Sequence, residues 1–243
     1  MHVLAVITAR GGSTTLPRKN ILPFCGKPMI AYSIEAALNA RRAGAAIDRV
    51  IVSTDDVEIA DISRKFGADV PFMRPPELAK SETPSLPVVQ HAIAFAEQQS
   101  GLTYDWILLL QPTSPLRTED DILAALGLIA EPGTTAVISI TNANTSHPRK
   151  LKLIVEGVLR PFQDDGFQPV RRQDFGYDVY KTNGAIYLAR RDVLMQEGSF
   201  YGNCPRPLIM PAERSIDIDT QLDFDMAEFL YRRQHGDAQE SAP

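Results

Sequence analysis

Two short stretches of the sequence gather the residues that could do chemistry. The first joins Gly11, Gly12 and Ser13 and surrounds them with three cations, Arg10, Arg18 and Lys19, with Asn20 following. Glycines let the backbone approach a ligand, successive amides form an anion-binding nest, and fixed cations make the same loop a phosphate site. Neither common phosphate fingerprint, G-x-x-x-x-G-K-[ST] or G-x-G-x-x-G, is present. A glycine turn with solvated cations accounts for the loop equally well. The second stretch is Ser215-Ile216-Asp217-Ile218-Asp219-Thr220. In an extended segment its two carboxylates share one face and its two isoleucines the other. Like charges that close repel unless something positive lies between them. A hard cation such as Mg²⁺ meets that need, taking one or two carboxylates and completing its shell with phosphate oxygens and water. The other reading is a half-exposed strand running into a helix capped by Asp219 or Thr220.

Further cations follow later elements: Arg74, Arg117, Lys150, Arg171 and Arg172. Their number suits a ligand with several negative charges, such as a nucleoside triphosphate with an acidic co-substrate. Arg117 and Arg171 read as solvated surface charges. Asp55-Asp56 reads as a helix cap and Asp164-Asp165-Gly166 as a turn. The four histidines, His2, His91, His147 and His235, have no zinc-ligand spacing, and no G-x-S-x-G elbow supports a serine hydrolase. His91 reads as packed on a helix, and Cys25 as a small buried residue. With 25 Lys and Arg against 30 Asp and Glu, the formal charge of −5 gives no general affinity for nucleic acid or membrane. A polyanion must therefore meet a local cluster. Two cysteines suit a reducing compartment. With no signal-peptide pattern and no membrane-length apolar run, a soluble cytoplasmic protein is expected.

The elements that must hold these residues alternate. Apolar runs at 3–7, 49–53, 106–110 and 136–140 predict buried strands. Helices are predicted over 28–38, over 57–66 ending at Gly67, over 86–99, and after the cap Thr118. This order predicts a single α/β domain over 1–243, a three-layer doubly wound, mostly parallel sheet. In such sheets ligands sit beyond the carboxyl ends of the strands, where Arg10 and Gln111 fall. From 142 to 182 the pattern changes to an arm outside the sheet, with a hairpin turning at Glu156-Gly157. Strands at 183–188 and 207–210, a helix at 222–233 and a frayed tail at 235–243 complete the chain.

Assembled in order, A-R-G-G-S-x-x-L-P-R-K-N, V-S-T-D-D-x-E-I-A, R-P-P-E-L-A, L-L-Q-P-T-S-P-L-R-T, R-R-Q, N-G-A-I-Y and S-I-D-I-D-T resemble the acylneuraminate cytidylyltransferase family, from residue 5 to about 228. The resemblance implies a nucleotide-diphospho-sugar transferase-like fold and condensation of CTP with a nonulosonic (sialic-type) acid, giving a CMP-sugar and pyrophosphate. Carried over by motif, Arg10 and Lys19, with Gly12 and Ser13 of the loop, hold the triphosphate. Asn20, Arg74 and Ser85 bind cytosine or ribose. Gln111, Lys150, Arg172 and Lys181 face the acidic sugar, and Asp217 and Asp219 hold Mg²⁺. The arm resembles the family's dimerisation region, which implies a homodimer with shared sites. Close alternatives are a nucleotidyltransferase for another sugar acid or sugar phosphate, such as 3-deoxy-octulosonate, and a silent nucleotide-binding homologue. A nicotinamide oxidoreductase ranks last, lacking the glycine fingerprint. Two departures stand out. The family's Lys-Gly after the serine is Thr14-Thr15, with Arg18 as the candidate to compensate, and an Asp before the third helix is Ser81.

Overall fold

Val3, Leu4, Ala5, Val6 and Ile7 have no accessible surface at all, because a run of apolar residues without alternation can only form a strand covered on both faces. This strand, β1 (Val3–Thr8), lies one strand in from an edge of the sheet, paired on both sides. The structure is a computed structural model that describes residues 1–13, 15–163, 166, 171 and 176–236. After β1 come a two-stranded ribbon, β2 (Pro23–Phe24) and β3 (Lys27–Pro28), then α1 (Met29–Arg42), β4 (Ile47–Ser53), α2 (Val57–Lys65) and α3 (Ser85–Ser100). β5 (Trp106–Leu110), α4 (Glu119–Leu128) and β6 (Ala136–Asn142) follow, then a hairpin of β7 (Lys152–Val155) and β8 (Val158–Pro161). β9 (Tyr180–Arg190), β10 (Pro205–Ile209) and α5 (Gln221–His235) close the fold.

The main sheet has the order β10-β6-β9-β5-β1-β4. Every pairing in it is parallel except those of β9, which runs antiparallel to both β5 and β6. One face is covered by α1, α2 and α4, and the other chiefly by α3. The expected three-layer, mostly parallel α/β architecture is present. A third apolar cluster lies outside the two layers. It joins Leu16 of the first loop, Phe24 of the ribbon, Met29 and Tyr32 of α1, Leu116, Ile218 and Ala227 of α5. Phe24 meets Tyr32, Phe224 and Tyr231 edge-to-face, with ring centroids 5.2, 5.6 and 5.7 Å apart.

The β7–β8 hairpin stands off this body. Its turn carries Glu156 and Gly157 at φ 52° and 78°, the two positive values that a tight hairpin turn needs. All eight strand residues are exposed, Ile154 at 77% and Leu159 at 68%. The tail from 237 onward lies outside the described residues, as do Asp164 and Asp165.

Acids at the start of α2 anchor the first loop. Asp56 is the N-cap, accepting from the Ile59 amide at 3.0 Å, and it also accepts from Arg18 Nη1 at 2.5 Å. Arg18 reaches Glu58 as well. It is therefore committed to α2, which corrects its expected role as a substitute phosphate cation. The Gly11 amide donates to Asp55 Oδ1 at 3.0 Å, and a Cβ at Gly11 would come within 2.6 Å of Asp56 Oδ2. Gly11 is thus required by its packing on Asp56.

Arg117 is a second correction. It is 3% exposed, not a solvated surface charge. Its Nη1 donates to the carbonyls of Ala185 (2.8 Å) and Gln111 (3.3 Å), and its Nη2 to Ser33 Oγ (2.6 Å). Burial brings its pKa down to about 10, against the pull of Asp121, so the charge persists at neutral pH. It pins the loop after β5 to β9 and α1.

Two stability predictions follow from these anchors. Arg117→Met should lower the urea unfolding free energy by about 3 kcal/mol, because buried acceptors lose a charged donor; a solvated arginine would change it by less than about 0.5 kcal/mol. For Asp56, burial pushes the carboxyl up, but the Ile59 amide and Arg18 outweigh it and hold it below its usual value of 3.8. Its contribution is then fully present above pH 3.8 and is lost as pH falls through the depressed folded value. Asp56→Asn should cost about 0.5–1 kcal/mol at pH 7. In paired urea titrations, its deficit against wild type should close progressively below pH 4.

Candidate active site

A cavity of about 210 Å³ opens beyond the carboxyl ends of β1 and β5. Thr8 ends β1 at its rim and Gln111 follows β5 directly. Of the residues expected to bind ligand, Arg10, Ser13, Lys19, Asn20, Arg74, Ser85 and Gln111 all line it. Asn20 is buried and its Nδ2 donates to the Arg10 carbonyl at 2.9 Å, closing the first loop on itself. Arg74 is also buried. Its backbone amide donates to the Thr54 carbonyl at 2.7 Å. Its guanidinium is held at the end of β4 by the Ser53 carbonyl (2.5 Å) and hydroxyl (3.1 Å). Burial lowers the Arg74 pKa to about 10, with Asp55 opposing and Arg10 adding, so the group stays charged at neutral pH. Ser85 opens α3, where amides without helical partners face outward. Three cations and a helix start around one cavity suit a ligand with several negative charges.

The acidic segment flanks this cavity. Residues 215–219 form no strand, so the expected alternation arises from packing rather than a ladder. Ile218 is fully buried in the third apolar cluster, and its amide donates to the Thr113 carbonyl at 2.8 Å. Thr220, not Asp219, is the N-cap of α5, in a capping box with Asp223. Asp219 is left 72% exposed and pairs with Lys19 Nζ at 2.9 Å, while the same Nζ donates to the Ile218 carbonyl at 2.8 Å. Lys19 thereby ties the first loop to the acids. Burial pushes the Asp217 carboxyl up; a hydrogen bond with Thr113 and the charge of Lys19 oppose this, and Asp219 adds to it. Among the described residues no three His, Cys, Asp or Glu side chains gather as a ready metal cage. Two neighbouring carboxylates fit a hard cation that arrives with oxygen ligands of its own.

Several expected residues lie apart from this cavity. Gly12 faces open space, where an added Cβ would meet nothing within 4 Å. Lys150 is exposed in the turn Pro148–Lys150 at the base of the arm. Lys181 is exposed on β9 opposite Thr141, near enough to Asp223 to lower that carboxyl. Arg172 and Thr14 lie outside the described residues. His91 packs edge-on against Phe72 with centroids 4.7 Å apart, as a structural histidine should. Burial raises the Cys25 pKa, so that residue is no activated thiolate.

The structure adds Thr113, Asn183 and Gly184 to the site. Gly184, at φ 76°, has Gln111 and Asp217 directly over it. All three lie inside motifs already quoted, Q-P-T-S-P and N-G-A-I-Y, but nothing in their chemistry marked them as neighbours of the acids.

Comparison with known proteins agrees with this geometry. A family model described as cytidylyltransferase matches residues 4–235. The chain is 35% identical over 231 residues to the CMP-N,N'-diacetyllegionaminic acid synthase of Legionella pneumophila, covering 95% of this chain and 96% of that protein. It is 32% identical over 238 residues to the pseudaminic acid cytidylyltransferase of Campylobacter jejuni, covering 98% and 100%. A solved CMP:2-keto-3-deoxy-manno-octonic acid synthetase shares the fold, with a TM-score of 0.69 at 21% identity over 96% of this chain and 100% of that one. With a family model spanning almost the whole chain and full-length relatives above 30% identity, the chain belongs to the cytidylyltransferase family.

Proposed function

We propose that this enzyme condenses CTP with a nonulosonic, sialic-type acid, releasing pyrophosphate and forming the CMP-sugar. The observation that carries the reading is the Lys19–Asp219 contact, which brings a cationic phosphate cavity and a carboxylate pair to one point. The full-length relatives named as legionaminic and pseudaminic acid enzymes supply the substrate class. In the reaction the anomeric hydroxyl oxygen bonds to the α-phosphorus and releases its proton to solvent, the bond from that phosphorus to the bridging oxygen breaks, and pyrophosphate leaves with the electron pair of that bond. Little covalent chemistry falls to the protein, so its work is positioning and neutralising charge. Arg10, Lys19 and the Ser13 region hold the triphosphate. Asn20, Arg74 and Ser85 line the nucleoside end. Gln111, with Lys150, Lys181 and Arg172, faces the acid, where a planar guanidinium matches a carboxylate.

Asp217 and Asp219 are the residues that would hold Mg²⁺. When bound, the ion neutralises phosphate charge and lowers the pKa of a hydroxyl it touches. Lys19, whose Nζ meets Asp219 at 2.9 Å and which also lines the cavity, would be the cation within reach of both that carboxylate and the phosphates.

The reading includes a homodimer in the cytoplasm. Leu153, Ile154, Val158, Leu159 and Phe162 are all exposed on and beside one hairpin, an apolar grouping that suits burial against a second copy. Both cysteines are free, and among the described residues no helix is long and apolar enough to cross a membrane.

Pyrophosphate release from a panel of nucleotides and sugars tests the assignment. CTP with a nonulosonic acid should be turned over. Activity only with another sugar, or CTP binding without turnover on the whole panel, would reject it. Asp219→Asn should raise the Mg²⁺ concentration needed for half-maximal rate by about 10–100-fold while the fold is kept; an unchanged Mg²⁺ dependence would remove Asp219 from the metal site. Arg172→Ala should raise the sugar-acid KM by about tenfold or more with little change for CTP, and equal KM values in the two enzymes would end its assignment to the sugar.

A further inference from the structure

Gly184 occupies a point where two functional side chains meet. A Cβ built there would lie 2.8 Å from Gln111 Oε1 and 3.1 Å from Asp217 Oδ2. Both are the ends of side chains, so added bulk would displace them before it moved any backbone. The backbone beneath is fixed from two sides. Asn183, 2% exposed, accepts at Oδ1 from Ser139 Oγ (2.6 Å) on β6 and from the Ala185 amide (3.2 Å). Its Nδ2 donates to Ser215 Oγ (2.9 Å), which donates in turn to the Pro211 carbonyl (2.8 Å). Ser114 Oγ, beyond Gln111 in the same loop, contacts the Asn183 carbonyl at 3.5 Å. Three segments are thus held to one buried residue: β6, the loop carrying Gln111 and the loop carrying Asp217.

We propose that Gly184 is a positioning residue whose missing side chain lets the Gln111 amide and the Asp217 carboxylate stand side by side over β9. The acid-sugar side and the metal side of the site then share one constraint, and a change at Gly184 moves both together. This rests on the roles proposed above for Gln111 and Asp217. Buried outer contacts of this kind commonly set ligand geometry as firmly as the direct contacts do.

Any side chain at φ 76° also strains the backbone, so the test must separate strain from crowding. Shortening Gln111 does so, because it removes one of the two groups that a new Cβ would strike and leaves the strain untouched. Gly184→Ala, Gln111→Ala and the double variant are compared with wild type in the full chain. The measurements are CTP binding by calorimetry across a Mg²⁺ series, the sugar-acid KM and the melting temperature. Gly184→Ala should raise both the Mg²⁺ needed for half-maximal CTP binding and the sugar-acid KM by about tenfold. The double variant should bring the Mg²⁺ requirement back to within about threefold of Gln111→Ala alone, while its sugar-acid KM stays high. An unchanged Mg²⁺ requirement in Gly184→Ala, or a double variant no better than Gly184→Ala, would overturn the proposal. If Gly184→Ala does not fold, Ser215→Ala probes the same constraint without adding an atom. It should raise the Mg²⁺ requirement severalfold, and no change would equally overturn the proposal. Wild-type turnover separates the two levels, since the functional reading fails on the wild type and the positioning role fails only on the variants.

Discussion

Ile218 is the residue on which the site depends. Its side chain has no accessible surface, and its peptide groups are both engaged, the amide by Thr113 and the carbonyl by Lys19. Burying one isoleucine stabilises by roughly 1.5–3 kcal/mol, and here that burial also sets where Asp217 and Asp219, its two neighbours, project. Two carboxylates would separate if left to their own repulsion. An apolar anchor between them holds them in place, and it lies in the same cluster as Leu16 of the first loop. The first loop and the acidic segment are therefore built on one small core, separate from the layers that cover the sheet.

That arrangement explains a division of labour among the charges. Cations engaged by framework acceptors away from the cavity are structural: Arg117 on three oxygens of the framework, and Arg18 on the acids of α2. Arg74 belongs to both groups, held on one edge by Ser53 yet lining the cavity. Lys19 differs again. Its partners are an exposed carboxylate and a carbonyl, and a flexible ammonium can leave such partners at little cost.

Much of this was legible because strands, caps and loop residues signal through local pattern. The buried run at 3–7, the cap at Thr118 and the cap at Asp56 each appear where spacing predicts them. Gathering seven of the expected ligands in one cavity follows from the rule that sites lie beyond strand ends. What could not be read depends on distant partners. Arg117 looks like any surface cation until β9 is set antiparallel beside β5, and the direction of a strand leaves no trace in its own apolar run. Gly11 has the composition of a phosphate loop but is required by Asp56, far along the chain at the start of α2. Asn183 and Gly184 matter only because three segments converge on them.

The departure at Thr14-Thr15 can be judged on the same grounds. The described part of the first loop owes its shape to anchors on either side of that pair. Gly11 is tied to Asp55 and packed on Asp56, Leu16 is buried in the third cluster, Arg18 is clamped to α2, and Asn20 holds the Arg10 carbonyl. Thr15 is exposed and carries none of these contacts. A β-branched residue stiffens the chain there, but it does not have to supply a turn that other residues already impose. The Lys-Gly to Thr-Thr departure takes one formal positive charge out of the loop, while Arg10, Lys19 and Arg74 all line the cavity. The anchors that shape the described part of the first loop come from Gly11, Leu16, Arg18 and Asn20, and none of them rests on Thr15.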